Sequence, residues 1–139
     1  MLLPKKVKFR KWHTMRKDMS SLSPDTRGIT LSFGSYGLKA ETSARMTSNQ
    51  IEAARKAMSR ALGKTGRIWI RIFPGRPFTR KAAEVPMGKG KGDLEGYCFE
   101  VRPGRVIFEV DGVTEAIARE SLRKAGTKLP VKTRVIKRD

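Results

Sequence analysis

Residues 97–126 read YCFEVRPGRVIFEVDGVTEAIARESLRKAG, and the change of period inside this stretch decides the fold class. Tyr97, Phe99 and Val101 alternate with their neighbours, as do Val106, Phe108 and Val110, so each run predicts a strand. Pro103-Gly104 between the two runs is a hairpin turn signal. From Val113 the period becomes helical. Glu115 is favourable in the first turn, Ile117, Ala118, Leu122 and Ala125 are expected inward, and Gly126 terminates the helix. Val131, Thr133 and Val135 then predict a last short strand. Strands joined by a hairpin and set apart from helices point to an α+β fold rather than a doubly wound parallel sheet.

Upstream, residues 74–96 (PGRPFTRKAAEVPMGKGKGDLEG) show no sustained period and several breakers, which predicts a long basic loop. Residues 67–73 (RIWIRIF) alternate strictly. Ile68, Ile70 and Ile72 belong on the core side, and Arg67, Trp69, Arg71 and Phe73 on the other. That second face suits phosphate contact and base stacking, or plain packing of Arg on Trp. A helix is expected before it: Thr47 and Gln50 fit a capping box, Ile51, Ala54, Met58 and Ala61 form the core stripe, and Gly63 and Gly66 supply the stop. Arg55, Lys56 and Arg60 lie mostly off the stripe, with Glu52 placed to pair with Lys56. Such a face serves either RNA phosphates or solvent. Ile29, Leu31 and Phe33 alternate as a strand that ends at Gly34 and Gly37, and residues 18–27 read as a polar loop. The expected architecture is one compact domain over residues 21–139, with two helices packed on mainly antiparallel strands, and a basic arm over residues 1–20.

Charge narrows the partner. Lys and Arg number 31 against 13 Asp and Glu, a formal net charge of +18 on 139 residues. Each phosphate neutralised by Lys or Arg releases a condensed counterion, so a polyanion is the expected ligand. A membrane would require an apolar span or a basic amphipathic helix with bulky apolar residues opposite the charges. The sequence offers neither. Residues 1–17 hold seven basic residues and no acidic one, with Trp12 and His13 interleaved. Lys5, Lys6, Lys8, Arg10 and Lys11 leave no room for a secretory signal, and the arm reads as ordering against phosphate or as a solvated tail.

Other chemistry finds little footing. Cys98 is the sole cysteine, which excludes an internal disulfide and a multi-Cys zinc site, and its place between Tyr97 and Phe99 suits a packed thiol. His13 cannot complete a metal set alone, so no metal and no cofactor are expected. Gly88-Lys89-Gly90-Lys91-Gly92 lacks the Ser or Thr after Lys that a Walker loop needs, and its spacing is not the dinucleotide fingerprint. It remains a basic loop whose backbone can approach phosphate closely. Without a catalytic pair of carboxylates or a cofactor motif, a nucleic-acid-binding protein is preferred to a small RNA-processing enzyme; a structural rRNA-binding subunit and a free-standing RNA- or DNA-binding regulator both fit these features.

Several runs resemble one family across almost the whole chain and in order. They are the opening Met-Leu-Leu-Pro-Lys-Lys-Val-Lys-Phe-Arg-Lys, Ser32-Phe33-Gly34, Gly37-Leu38-Lys39-Ala40, Gln50-Ile51-Glu52-Ala53-Ala54-Arg55, Ile68-Trp69-Ile70-Arg71-Ile72-Phe73-Pro74, Met87-Gly88-Lys89-Gly90-Lys91-Gly92 and Leu129-Pro130-Val131-Lys132-Thr133. Together they resemble the bacterial-type L-sixteen family of large-subunit ribosomal proteins. The resemblance implies a non-enzymatic α+β protein bound to 23S-type rRNA, beside neighbouring large-subunit proteins, with no homo-oligomer and a late entry into subunit assembly. It implies rRNA contacts for Lys5, Lys6, Lys8, Arg10, Lys11, Arg55 and Arg60, to which the charged faces read above add Lys56, Arg67 and Arg71. It also places Arg80, Lys81, Lys89 and Lys91 in a loop near the peptidyl transferase region, facing the A-site tRNA, with the P-site tRNA as a second candidate. A bacterial cytoplasmic ribosome is the expected location, an organellar one the alternative. Two features depart from the family pattern: residues 18–27 are longer and more acidic, and Pro86 stands where many relatives have an arginine.

Overall fold

The strands and the helix expected within residues 97–126 all form, but the two strands do not pair with each other. β5 (Asp93–Val101) and β6 (Val106–Asp111) lie in different sheets, and Pro103-Gly104 carries the chain from one to the other. The turn's backbone groups are satisfied elsewhere. Gly104 donates to the Ala40 carbonyl at 2.8 Å, and the Pro103 carbonyl accepts from Asp25 at 2.9 Å. With those partners, the link replaces the predicted hairpin at no cost in unpaired backbone.

The computed structural model describes residues 1–12, 22–81, 88 and 90–138; His13, the Asp18 end of the polar segment, Pro86 and Lys89 lie outside them. Along the described chain follow β1 (Tyr36–Ala40), β2 (Ala44–Thr47), α1 (Ser48–Leu62), β3 (Arg67–Ile70), β4 (Arg76–Arg80), β5, β6, α2 (Glu115–Gly126) and β7 (Thr133–Lys137). One sheet has the order β3-β6-β1-β7 and the other β2-β5-β4, and every pairing is antiparallel. This is the α+β architecture, with two helices on antiparallel sheets.

The core is built around β6, whose Val106, Ile107, Phe108, Glu109 and Val110 are all buried. Phe108 stands opposite Leu38 of β1 and Ile70 of β3, so their side chains share a face. They join Ile51, Ala54 and Met58 of α1 and Leu122 and Ala125 of α2 in one cluster. Glu109 stands opposite Gly37 and Trp69 on the other face. That face is covered by the segment before β1: a side chain at Gly37 would collide with Leu31, which explains a glycine in mid-strand.

The expected strand at Ile29, Leu31 and Phe33 is therefore an irregular cover instead. Its alternation is genuine, but the N–H groups of Ser32, Phe33 and Gly34 go to the Glu109 carboxylate rather than to a ladder. Residues 74–96 also differ from expectation. β4 and the first half of β5 pair there, so that, of the expected loop, residues 76–80 and 93–96 are strand. Pro77 is tolerated because β4 is an edge strand, where a missing N–H costs no ladder bond. β2, with Met46 as its one fully buried residue, is too short to leave a period.

The helices follow their end signals. Thr47 and Gln50 form the reciprocal capping box, and Gly63 closes α1 by donating to the Ser59 carbonyl. Leu62 rather than Ala61 ends the buried stripe. In α2 the inward residues are Ala118, Ser121, Leu122 and Ala125, while Ile117, expected inside, is 43% exposed. A stripe centred on Ala118 and Leu122 leaves Ile117 about one helical step off axis. Ser121 is admitted because its hydroxyl donates to the Ala118 carbonyl at 2.8 Å.

Candidate RNA interface

The distribution of charge begins with where the acids are used. Among the described residues, Glu100 meets Arg45 and Arg76 at 3.3 Å each, Glu95 meets Arg80 at 3.3 Å, Asp25 meets Arg105 at 3.9 Å and Glu115 meets Arg119 at 3.1 Å. Glu52, Glu109 and Glu120 pair with Arg55, Arg71 and Arg123. Arginine therefore absorbs most of the acidic groups within the fold. The excess positive charge stands on exposed side chains elsewhere, a separation that favours a polyanion over a mixed-charge protein surface.

In the arm, Lys5, Lys6, Lys8 and Arg10 are exposed and Lys11 is half-buried. The arm is anchored at two points. Leu2 packs against the core, and Trp12 lies under the Arg76 guanidinium, 5.6 Å from ring to Cζ. Lys91 Nζ donates to the Trp12 carbonyl as well, so the arm and the loop after β4 come together in one basic surface. Between the arm and Phe73 lies a cavity of about 280 Å³ lined by Lys6, Lys8, Phe9 and Trp12. Lys81 Nζ donates to the Gly88 carbonyl across the base of the loop, and Arg80 is exposed beside Glu95.

On α1, Lys56 and Arg60 are exposed, whereas Arg55 is half-buried and donates through Nε to Glu52 at 3.2 Å. The expected partner of Glu52 was Lys56. The i,i+3 spacing serves Arg55 because its planar fork reaches both carboxylate oxygens, which a lysine cannot do. This contact holds the Glu52 carboxyl below its usual range and raises the Arg55 guanidinium.

Arg67 is exposed at the start of β3. Arg71, just beyond it, is bound to Glu109, which is fully buried and takes the N–H groups of Ser32, Phe33 and Gly34 on Oε1 at 2.9, 2.9 and 3.0 Å. Burial pushes the Glu109 carboxyl up. The Gly34 N–H, Arg71, and the Phe33 and Ser32 N–H groups outweigh it, so the net shift is downward. The carboxylate thus ties the cover segment to the central strand. Sequence reading overlooked Glu109, although a lone carboxylate inside Val-Ile-Phe-Glu-Val was a signal. It also overlooked Arg76, which nothing in a loop-like stretch marks out as an anchor for the arm.

No group of three or more His, Cys, Asp and Glu among the described residues could hold a metal ion. Cys98 is buried, and burial raises its thiol pKa, so it packs as a small apolar side chain. No helix of the described residues is long and apolar enough to cross a membrane.

Residues 4–136 match the family model described as ribosomal protein L16p/L10e. Among curated relatives, the large ribosomal subunit protein uL16 of Afipia carboxidovorans is 51% identical, with 99% of this chain and 98% of the relative covered. That of Macrococcus caseolyticus is 50% identical, covering 100% of this chain and 94% of the relative. The uL16 of Halorhodospira halophila is 51% identical over 99% of this chain and 98% of the relative.

Proposed function

Because the chain belongs to the ribosomal protein L16p/L10e family, we propose that it grips 23S-type rRNA through its arm and helix face and directs the β4–β5 loop toward tRNA. It is a structural, non-enzymatic constituent of the large ribosomal subunit, so rRNA and neighbouring ribosomal proteins surround it. The finer reading assigns rRNA to Lys5, Lys6, Lys8, Arg10, Lys11, Lys56, Arg60 and Arg67, with Arg55 and Arg71 contributing from within their ion pairs. Lys81, Lys89, Lys91 and Arg80 face the A-site tRNA and, beyond it, the P-site tRNA. The bacterial sources of the relatives favour a bacterial cytoplasmic ribosome.

One observation carries this reading: the arm and the loop, 79 residues apart at their contact, meet through Trp12 and Lys91. Two cation-rich, acid-poor segments joined on one surface make a continuous phosphate-binding tract, and phosphate contacts supply most of the affinity for RNA. Large subunits reconstituted with a Lys89→Ala, Lys91→Ala double variant test the loop. Expected are an unchanged thermal midpoint of the free protein, with impaired A-site tRNA binding or late assembly of the subunit. Normal tRNA binding and assembly in that variant would remove the tRNA role, and failure of the wild-type chain to co-sediment with large subunits at moderate salt would remove the ribosomal one.

A further inference from the structure

We infer that Phe33 is the top of a preformed stacking platform for one unpaired nucleobase of the large-subunit rRNA. The inference rests on the rRNA-binding reading above and adds a base contact to the phosphate contacts proposed there. Phe33 lies over Trp69, with ring centroids 6.0 Å apart and planes inclined by 17°, and the Arg71 guanidinium carbon stands 5.4 Å from the Phe33 centroid. Trp69 and Arg71 support the ring, yet Phe33 remains 55% exposed. An aromatic ring supported this well, but not covered, presents an apolar flat surface to whatever docks there.

The mount is rigid for a physical reason. Glu109, fully buried on the central strand, holds the backbone N–H of Phe33 and of both its neighbours, and the same carboxylate holds Arg71. Gly34 then runs so close to Val110 that a Cβ there would sit 2.6 Å from its carbonyl oxygen. The backbone that carries the ring and the Arg71 guanidinium beside it are thus tied to one strand by one carboxylate, which lowers the cost of ordering the platform on binding.

The chemistry selects the occupant. Glu109 neutralises Arg71, so the site offers a stacking surface rather than a free charge for phosphate. Arg67 is exposed two residues before Trp69 on the same side of the strand, where it can hold the phosphate of a stacked nucleotide. A flat ring flanked by a guanidinium, on a chain of net charge +18, complements a base with its own phosphate. The base must be unpaired, since duplex stacking leaves neither face of a base open.

The test compares Phe33→Leu and Phe33→Tyr with the wild-type chain, using large-subunit rRNA and nucleotide-resolution chemical probing. Phe33→Leu should lower rRNA affinity by about 5- to 150-fold, the range for loss of one base–aromatic stack. The dependence on salt should keep its slope, because no phosphate contact is removed. One unpaired nucleotide protected by the wild-type chain should become reactive with Phe33→Leu and stay protected with Phe33→Tyr. If wild-type binds rRNA with the expected salt dependence but Phe33→Leu matches it in affinity and footprint, the platform is wrong and the rRNA-binding reading stands. A photocrosslinker at position 33 that captures a neighbouring ribosomal protein instead of a nucleotide also overturns the platform. A wild-type chain with no salt-dependent rRNA binding overturns the reading beneath it. Should Phe33→Leu unfold the chain, a Phe33→Tyr variant that binds as wild type but leaves every unpaired nucleotide reactive refutes the stack.

Discussion

Glu109 concentrates the fold's dependence on a single side chain. It is buried on the central strand and bonded to three backbone N–H groups and to Arg71. Glu109→Ala should destabilise the domain by about 3 to 5 kcal/mol, since it strands Arg71 and three donors at once. Arg71→Ala should cost less, about 2 kcal/mol, because the backbone donors still stabilise the carboxylate. Urea unfolding of both variants checks the order. Acid offers a second measurement. The Glu109 carboxyl lies below its usual range in the fold, so its contribution is complete above the unfolded pKa, about 4.3, and fades as pH falls through the lower folded value. Glu109→Gln should therefore be less stable than wild type near neutrality, and the gap should narrow in stability curves carried below about pH 4.

At the scale of elements, α1 was the most legible part of the chain because its start and stop are local. Thr47 and Gln50 satisfy each other's backbone donors three residues apart, so sequence spacing alone specifies the cap. Thr47→Ala should cost about 1 kcal/mol, read as a shift in thermal midpoint. On the same helix, Arg55→Ala should change stability by no more than about 0.5 kcal/mol, since its pair with Glu52 is half-exposed. The same substitution should weaken rRNA binding in a filter or gel assay; a melted domain would mean that the helix face is structural. The β4–β5 hairpin was not legible. Pro74, Gly75, Pro77 and Gly92 look like breakers, but Pro74, Gly75 and Gly92 lie outside the two strands, and β4 accepts Pro77 because an edge strand has its partner on one side only.

For the whole molecule, the decisive quantity is the separation of charge, with arginines consumed by internal acids and the surplus left on the arm, α1 and the loop. Binding to folded rRNA should therefore be strongly salt-dependent. If about 6 to 10 phosphates are neutralised, affinity should drop by roughly 10³ to 10⁵ between about 50 and 200 mM salt. Equilibrium binding across that range checks it, and a flat response would contradict a phosphate-dominated interface.

Sequence by itself determined the helices, the β6 core strand and the polyanionic partner, because capping, period and net charge are properties of neighbours or of sums. It also picked out the arm and the Gly-Lys loop as cationic candidates. Only the tertiary structure decided that β5 and β6 part into two sheets, that residues 29–34 cover a sheet face instead of joining it, and that Phe33 is held outward over Trp69. Each depends on a partner more than 30 residues away: Ala40 for Gly104, Glu109 for the cover segment, Trp69 for Phe33. Alternation in a short run says that successive side chains face opposite ways, but not which backbone donors or acceptors will be satisfied, or by what.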